Sequence, residues 1–388
     1  MSDSALMVFV NSVEVGVLTM EKNEMVFSYH SDVMAENFIS LTMPVRNKSW
    51  NFAKLHPIFQ MNLPEGYLLS LIKKHFSKIS KTDDFGLLKT IAPKVKGRLH
   101  YGVKQAVQKS SQPLNIEALL HSEGKNLFNE LSHRFALSSA ISGIMPKVIA
   151  PLEDKITLKL DDYIVKTWGD EYPNLAENEY FCLQALNFSG VTVPDYQLSK
   201  DKKLLIIKRF DVKKKGGYFG FEDMCVLQGK SVDDKYDSTN ERIAKTIDAF
   251  VSVQYKKTAF LQYFKMTVMN YLLQNGDAHL KNFALLYEDD CSVRLAPVFD
   301  VVCTTAYIAS DIPALSLAGS KKWWGKKQLL EFGVLHCQLS NQQAQDLYAE
   351  CIQALDKTAL LLEAYIEENI DFATIGEKIL PIWRQKIR

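Results

Sequence analysis

Asn275-Gly276-Asp277-Ala278-His279-Leu280-Lys281-Asn282 is followed, eighteen residues beyond Asn282, by Asp300 in Pro297-Val298-Phe299-Asp300. An aspartate and an asparagine five positions apart, with a second aspartate downstream, form the donor set that metal-assisted phosphoryl transfer requires. In such a set the first carboxylate (Asp277) orients and deprotonates a hydroxyl acceptor. The amide (Asn282) and the second carboxylate (Asp300) hold Mg²⁺ on the phosphates of ATP. The pattern therefore points to kinase chemistry.

The surroundings matter, because Asn-Gly-Asp is ordinary turn chemistry and D-x-x-x-x-N alone recurs by chance. Ahead of the loop, Leu261, Phe264, Val268 and Tyr271 recur at three- and four-residue steps, which predicts a helix with one buried face. After it, Phe283 to Tyr287 is strand-like. A carboxylate placed by a turn and another ending a strand can converge on one metal. His279 lies inside the loop without thiol or carboxylate partners spaced for zinc, so loop bracing or nucleotide contact is its expected role.

Upstream, Asp162 to Lys166 and Lys203 to Lys208 predict strands, and Glu177 to Leu186 a helix. A lysine ending a strand (Lys166) and a helix glutamate (Glu179) form the ion pair that positions ATP phosphates in kinases. Glu177 lies on the same helix and competes for that role. The stretch Ser138 to Lys147, containing Ser142 and Gly143, stands where a phosphate-covering loop would. It carries one glycine, yet small residues allow main-chain N–H groups to approach phosphate.

Residues 5–29 alternate apolar bursts with polar breaks and predict a small β-meander. Leu63-Pro64-Glu65-Gly66 opens a predicted helix over Tyr67 to Ile72. Polar small residues at 105–125 suggest a boundary. Near the C-terminus, Leu347, Cys351, Leu355, Ala359, Leu362 and Ile366 predict another one-faced helix. Lys321-Lys322-Trp323-Trp324-Gly325-Lys326-Lys327 reads as a solvated turn with its tryptophans inward, or as a phosphate-contacting patch.

Composition sets outer bounds. The 388 residues carry a net charge of +1, with 47% hydrophobic and 23% charged residues. Those values suit a globular protein without a global field for nucleic acid or membrane. Six scattered cysteines without a C-x-x-C pair suggest reduced, mostly buried thiols in a cytoplasmic protein. The first residues lack a basic leader pattern, and no run approaches a membrane span.

At this point the chain resembles the HipA-type serine/threonine kinases, toxins of bacterial type II toxin–antitoxin modules. Leu63-Pro64-Glu65-Gly66 and Asp84-Phe85-Gly86-Leu87-Leu88 are similar to the family's N-terminal elements. Gly143-Ile144-Met145-Pro146-Lys147 is similar to its G-x-Q-P-K loop, Ile164-Val165-Lys166 to its lysine strand and Asn178-Glu179-Tyr180 to its N-E helix. Lys208-Arg209-Phe210-Asp211 is similar to its E-R-F-D hinge, and Glu222-Asp223-Met224-Cys225 matches throughout. So do Asp277-x-His279-x-Lys281-Asn282 and Phe299-Asp300.

The resemblance implies Asp277 as base, Asn282 and Asp300 as Mg²⁺ ligands, and Lys166 on the ATP phosphates. It also implies His279 and Lys281 at the nucleotide or transferred phosphate, and Arg209, Phe210 and Asp211 along the adenine. It further implies a protein substrate, in known cases an aminoacyl-tRNA synthetase, with growth arrest, and a helix-turn-helix antitoxin as partner. Lys321, Lys322, Lys326 and Lys327 would then face operator DNA. The sequence departs from the family at Met145, where Gln is usual, and at Ala140, where the self-phosphorylated serine stands. Ser142 and Ser139 are the neighbours that could replace it.

The expected fold is α+β and two-lobed, protein-kinase-like, with a β-rich N-lobe, an all-helical C-lobe and an additional N-terminal β-rich subdomain. The expected divisions are 1–115, 116–215 and 216–388. Rival readings are a small-molecule kinase of the aminoglycoside or choline kinase type, a kinase-like co-repressor, and a secreted effector of the same family.

Overall fold

The computed structural model describes residues 5–63, 83–92, 95–102, 145–147, 155–159, 163–168 and 172–387, with 145–147 and 155–159 described as main chain. The predicted helix at Tyr67 to Ile72 and the loop residues Ser138, Ser139, Ala140, Ser142 and Gly143 lie outside the described residues.

The meander forms as its alternation predicts, from β1 (Ala5–Val10), β2 (Val13–Glu21) and β3 (Glu24–Tyr29). Both connections are two residues long with positive φ throughout, at Asn11 and Ser12 (45° and 74°) and at Lys22 and Asn23 (47° and 67°). That geometry matches the twist of paired strands. Leu6, Val8 and Val10 point to the same buried side. With β4 (Trp50–Phe52) and β5 (Leu99–Gly102) the sheet runs β4-β3-β2-β1-β5, antiparallel throughout. Helices α1 (Pro57–Gln60) and α2 (Asp84–Ile91) pack Phe59 and Leu88 into its core. Asp83 caps α2 by accepting from Gly86 N at 2.7 Å.

A second antiparallel sheet holds β6 (Met145–Lys147), β7 (Lys155–Lys159), β8 (Tyr163–Trp168), β9 (Tyr196–Leu198) and β10 (Leu205–Lys208), ordered β6-β7-β8-β10-β9. Helix α3 (Leu175–Phe188) packs Ala176 and Leu183 against Leu205 and Ile207. Strand β8 therefore lies between two partners, and Lys166 pairs in register with Leu205.

The C-terminal part is not all-helical. Strands β11 (Gly220–Asp223), β12 (Ala284–Tyr287) and β13 (Arg294–Leu295) form a third antiparallel sheet. Gly220-Phe221-Glu222-Asp223 has no apolar alternation, so its strand character comes from pairing with the distant β12, not from local pattern. The helices are α4 (Met224–Leu227), α5 (Asn240–Phe250), α6 (Val253–Leu273), α7 (Lys326–His336), α8 (Asn341–Glu368) and α9 (Ile370–Ile387).

Helix α6 differs from the one-faced expectation. From Tyr263 to Leu273 every residue is buried, while Leu261 is only half-buried. That second half is enclosed as the helix packs against α3, α5, α8 and α9, while Val253, Gln254, Lys257 and Thr258 of its first turns are exposed. Helix α8 keeps the predicted stripe, with Cys351, Leu355, Ala359 and Leu362 buried and Leu347 and Ile366 half-buried. No helix among the described residues is long and apolar enough to cross a membrane.

Candidate active site

Helix α6 ends where Gln274 turns left-handed, at φ 54° and ψ 52°. Asn275 then bonds back to the helix, its Nδ2 donating to Asn270 Oδ1 at 2.9 Å, and its Oδ1 accepts from Asp277 N at 3.2 Å. Gly276 N donates to Thr304 Oγ1 at 2.8 Å. A Cβ on Gly276 would overlap Asp311 and lie 2.8 Å from Thr304 Oγ1, so this close approach needs glycine. Leu280–Asn282 forms a short 3₁₀ turn. From it Asn282 Nδ2 donates to Asp277 O at 2.8 Å and reaches Asp300 O at 3.4 Å. One amide thus ties the main chains of both aspartates together.

Asp300 does not end a strand. β13 stops at Leu295, and Pro297, which lacks an N–H, cannot extend the ladder. Asp300 instead sits in irregular chain with φ 63°, a left-handed conformation that aspartate tolerates better than most residues. Its Oδ1 accepts from Lys166 Nζ at 2.9 Å, and Lys166 also pairs with Glu179. Lys166 and Glu179 are 4% and 0% exposed, so this pair is held away from screening water.

Glu179, not Glu177, is the lysine's partner. Glu177 turns the other way and accepts from Tyr365 OH at 2.8 Å, and burial raises its pKa above the ordinary carboxylate value. The intervening Asn178 clamps the chain after Asp300, donating to Cys303 O at 3.1 Å and accepting from Cys303 N at 2.8 Å. Burial pushes the Cys303 thiol up to about 11 and Cys182 well above its usual value, so both are inert thiols beside the site.

His279 is fully buried, 4.0 Å from Asp277 Oδ1 and edge-on to Tyr236. Lys281 Nζ lies 3.7 Å from Asp223 Oδ2. Asp223 also caps α4 by accepting from Val226 N at 3.1 Å. Arg209 grips Asp211 with two donors, Nε at 2.9 Å and Nη2 at 2.7 Å, and its side chain is fully buried. Between them Phe210 packs on Phe299 and Phe221, each ring centroid 5.9 Å away, and so contacts the residue just before Asp300.

The four lysines of the 321–327 cluster are exposed, while Trp323 and Trp324 donate inward to Asp311 O (2.9 Å) and Leu317 O (2.7 Å). Lys321 Nζ reaches Tyr236 O at 3.2 Å.

Sequence reasoning missed two groups. Tyr236 OH donates to Asp277 Oδ1 at 2.9 Å; no motif distinguishes this tyrosine from the other fifteen. Glu222 is fully buried and joins the segment between β3 and β4 to the third sheet. It accepts from Ser40 Oγ (2.7 Å), Leu41 N (2.8 Å) and Tyr287 OH (2.5 Å). Its place in Glu-Asp-Met-Cys was the available signal.

The donor chemistry fits a magnesium ion. Asn282 and Asp300 offer an amide and a carboxylate oxygen, hard ligands that suit a small hard cation. A buried ammonium already lies against Asp300, which shows that this carboxylate faces positive charge. With Lys166 the site can neutralise phosphate, and Asp277 supplies a carboxylate for a hydroxyl proton.

Residues 139–359 match the HipA-like C-terminal domain family, and residues 6–102 match the HipA N-terminal domain. The chain belongs to the HipA family. Its relatives include "Putative kinase Y4dM" of Sinorhizobium fredii, 27% identical over 266 residues, covering 61% of this chain and 64% of that protein. A Haemophilus influenzae protein named "Putative kinase" is 28% identical over 189 residues, covering 43% and 53%. The chain thus spans somewhat over half to just under two thirds of the length of these relatives. HipA of Shewanella oneidensis, solved with HipB and its operator DNA, covers 98% of this chain and 97% of its own at TM-score 0.72 and 17% identity. At that identity the likeness is one of fold: this HipA-family chain shares the fold of that HipA, mixed α/β with antiparallel sheets.

Proposed function

We propose that the chain transfers the γ-phosphoryl group of ATP, with Mg²⁺, to a serine or threonine hydroxyl of a protein. The observation that carries this reading is the meeting of Lys166, Glu179 and Asp300 from one side with Asp277 and Asn282 from the other. Lys166, held by Glu179, takes the nucleotide's phosphates. Asp277 orients the acceptor hydroxyl and receives its proton as the P–O bond forms. Mg²⁺, held by Asn282 and Asp300, would neutralise charge on the phosphates.

The family supports a cytoplasmic toxin acting on an aminoacyl-tRNA synthetase and paired with a helix-turn-helix antitoxin. The operator complex of the Shewanella protein supports placing Lys321, Lys322, Lys326 and Lys327 towards DNA within such an assembly. A small-molecule kinase fits less well, because the buried Glu222 bonds tie the N-terminal part, at Ser40 and Leu41, to the sheet beside the site. A co-repressor with little catalysis is the second reading, favoured by the departures from the family pattern at Ala140 and Met145.

The test is labelled ATP and Mg²⁺ with the purified chain, alone and with bacterial lysate. Label is expected on a discrete lysate protein. Asp277→Asn should leave ATP binding intact and cut transfer about a hundredfold or more. Binding of ATP without any transfer by the native chain would turn the conclusion to the co-repressor.

A further inference from the structure

We propose that Tyr236 is a positioning residue for the base: its phenol holds the Asp277 carboxylate in the orientation that receives the acceptor's proton. This rests on the phosphotransfer reading above and goes beyond it, since no motif assigns Tyr236 a role.

An aspartate carboxylate rotates easily about χ2, a broad two-fold torsion. Asn275 and Asn282 fix the main chain of Asp277 and leave that rotation to other partners. Tyr236 acts on the carboxylate itself. Its OH lies 2.9 Å from Oδ1, and since a carboxylate only accepts, the phenol donates. A donated hydrogen bond to an ionised acceptor is among the stronger kinds.

The phenol is itself held in place. Its ring lies edge-on to His279, with centroids 5.2 Å apart and planes at 75°. Lys235 O accepts from Leu280 N at 3.1 Å, joining its segment to the catalytic loop by main chain. Lys321 Nζ donates to Tyr236 O at 3.2 Å, and the Lys235 ammonium lies 5.3 Å from the ring centroid. Upstream, Ser231 and Asp234 form a capping box, and Lys230 pairs with Asp237 at 2.5 Å. Residues 230–237 are thus braced as a platform whose side chain on the catalytic loop is Tyr236.

The test compares the full native chain with Tyr236→Phe, Asp277→Asn and the double variant, using Mg-ATP hydrolysis and labelled transfer as probes. Phenylalanine keeps the ring against His279, so the variant stays folded and its thermal midpoint should fall by no more than a few degrees, the loss of one hydrogen bond. The turnover number should fall about ten- to a hundredfold, the worth of one hydrogen bond to a charged group. KM and the dissociation constant for ATP should stay within about twofold, because the bond acts on the base and not on nucleotide binding. In the Asp277→Asn background the same change should add nothing.

Native turnover in Tyr236→Phe overturns the inference and leaves the kinase reading standing. Raised turnover also overturns it, since the phenol would then be competing with the acceptor for Asp277. Full activity in Asp277→Asn overturns the kinase reading itself, and this inference with it.

Discussion

Replacing Glu222 by alanine and by glutamine separates the need for an acceptor from the need for a charge where the N-terminal part meets the third sheet. Oε1 accepts from Leu41 N and Tyr287 OH, and Oε2 from Ser40 Oγ, all at a fully buried carboxylate. Alanine removes every acceptor. Ser40 retains Thr42, whose hydroxyl is 2.8 Å away and whose N–H donates to Ser40 Oγ at 3.0 Å, so its loss is small. Leu41 N–H and Tyr287 O–H are left without their acceptor in a buried or half-buried place, at about 1–3 kcal/mol each, giving about 2–6 kcal/mol in all. Glutamine avoids this cost. Its Oε1 keeps two donors, its Nε2 donates to Ser40 Oγ, and the Ser40 proton turns to Thr42; the expected cost is within about 1 kcal/mol.

The pair also differs with pH. Burial raises the pKa of Glu222 above its ordinary 4.5. A carboxyl that binds its proton more tightly when folded contributes stability that is full below its unfolded pKa and is lost as pH rises through the folded one. The native chain should therefore lose stability relative to Glu222→Gln as pH climbs from about 4.5, a decline the glutamine variant lacks. Urea unfolding followed by circular dichroism at acidic and neutral pH measures both effects. An alanine variant within about 1 kcal/mol of native, or a glutamine variant as costly as alanine, refutes the reasoning.

Two further substitutions probe the site. Gly276→Ala should lower stability by about 1–3 kcal/mol and reduce phosphotransfer, because the new methyl group overlaps Asp311 and crowds Thr304; calorimetry and the labelled-ATP assay report the two effects. Lys166→Met should weaken ATP binding about tenfold or more in titration calorimetry. It should also lower stability by about 3–5 kcal/mol, since Glu179 and Asp300 lose the buried ammonium between them.

What the sequence revealed was chemistry carried by residue type, and what it hid was bracing carried by distant contacts. Asp277, Asn282 and Asp300 are legible as a candidate set because a carboxylate base and two oxygen donors at that spacing suit one chemistry, and the structure brings them together. Lys166 and Glu179 are legible through the order of strand and helix, but choosing Glu179 over Glu177 needed the orientation of α3. Strand β11 was illegible because two carboxylates break its apolar alternation, and its partner β12 lies far along the chain. The all-round burial of the second half of α6 was hidden for a related reason. Lys265 sits on a buried surface and looks polar in sequence, yet its ammonium is spent on Ser189 O and Glu350, both at 2.5 Å. Asp300 was misplaced because local pattern extends the strand across Pro297, whereas the missing N–H stops it.

The adjacent carboxylates of β11 explain how these layers act together. Successive side chains of a strand face opposite ways, so Glu222 and Asp223 serve different parts of the molecule from one place. Glu222 grips Ser40 and Leu41 of the N-terminal subdomain, where Phe38 stacks on Tyr287 at 5.5 Å and Arg98 donates to Phe38 O at 2.6 Å. Asp223 lies beside Lys281 of the catalytic loop and caps α4. Strand β12 closes the circuit, since it begins just after Asn282 and ends at Tyr287, which bonds Glu222. An N-terminal subdomain bonded by a buried carboxylate to the sheet beside the candidate site is packed into the same structural unit and is not a separate appendage.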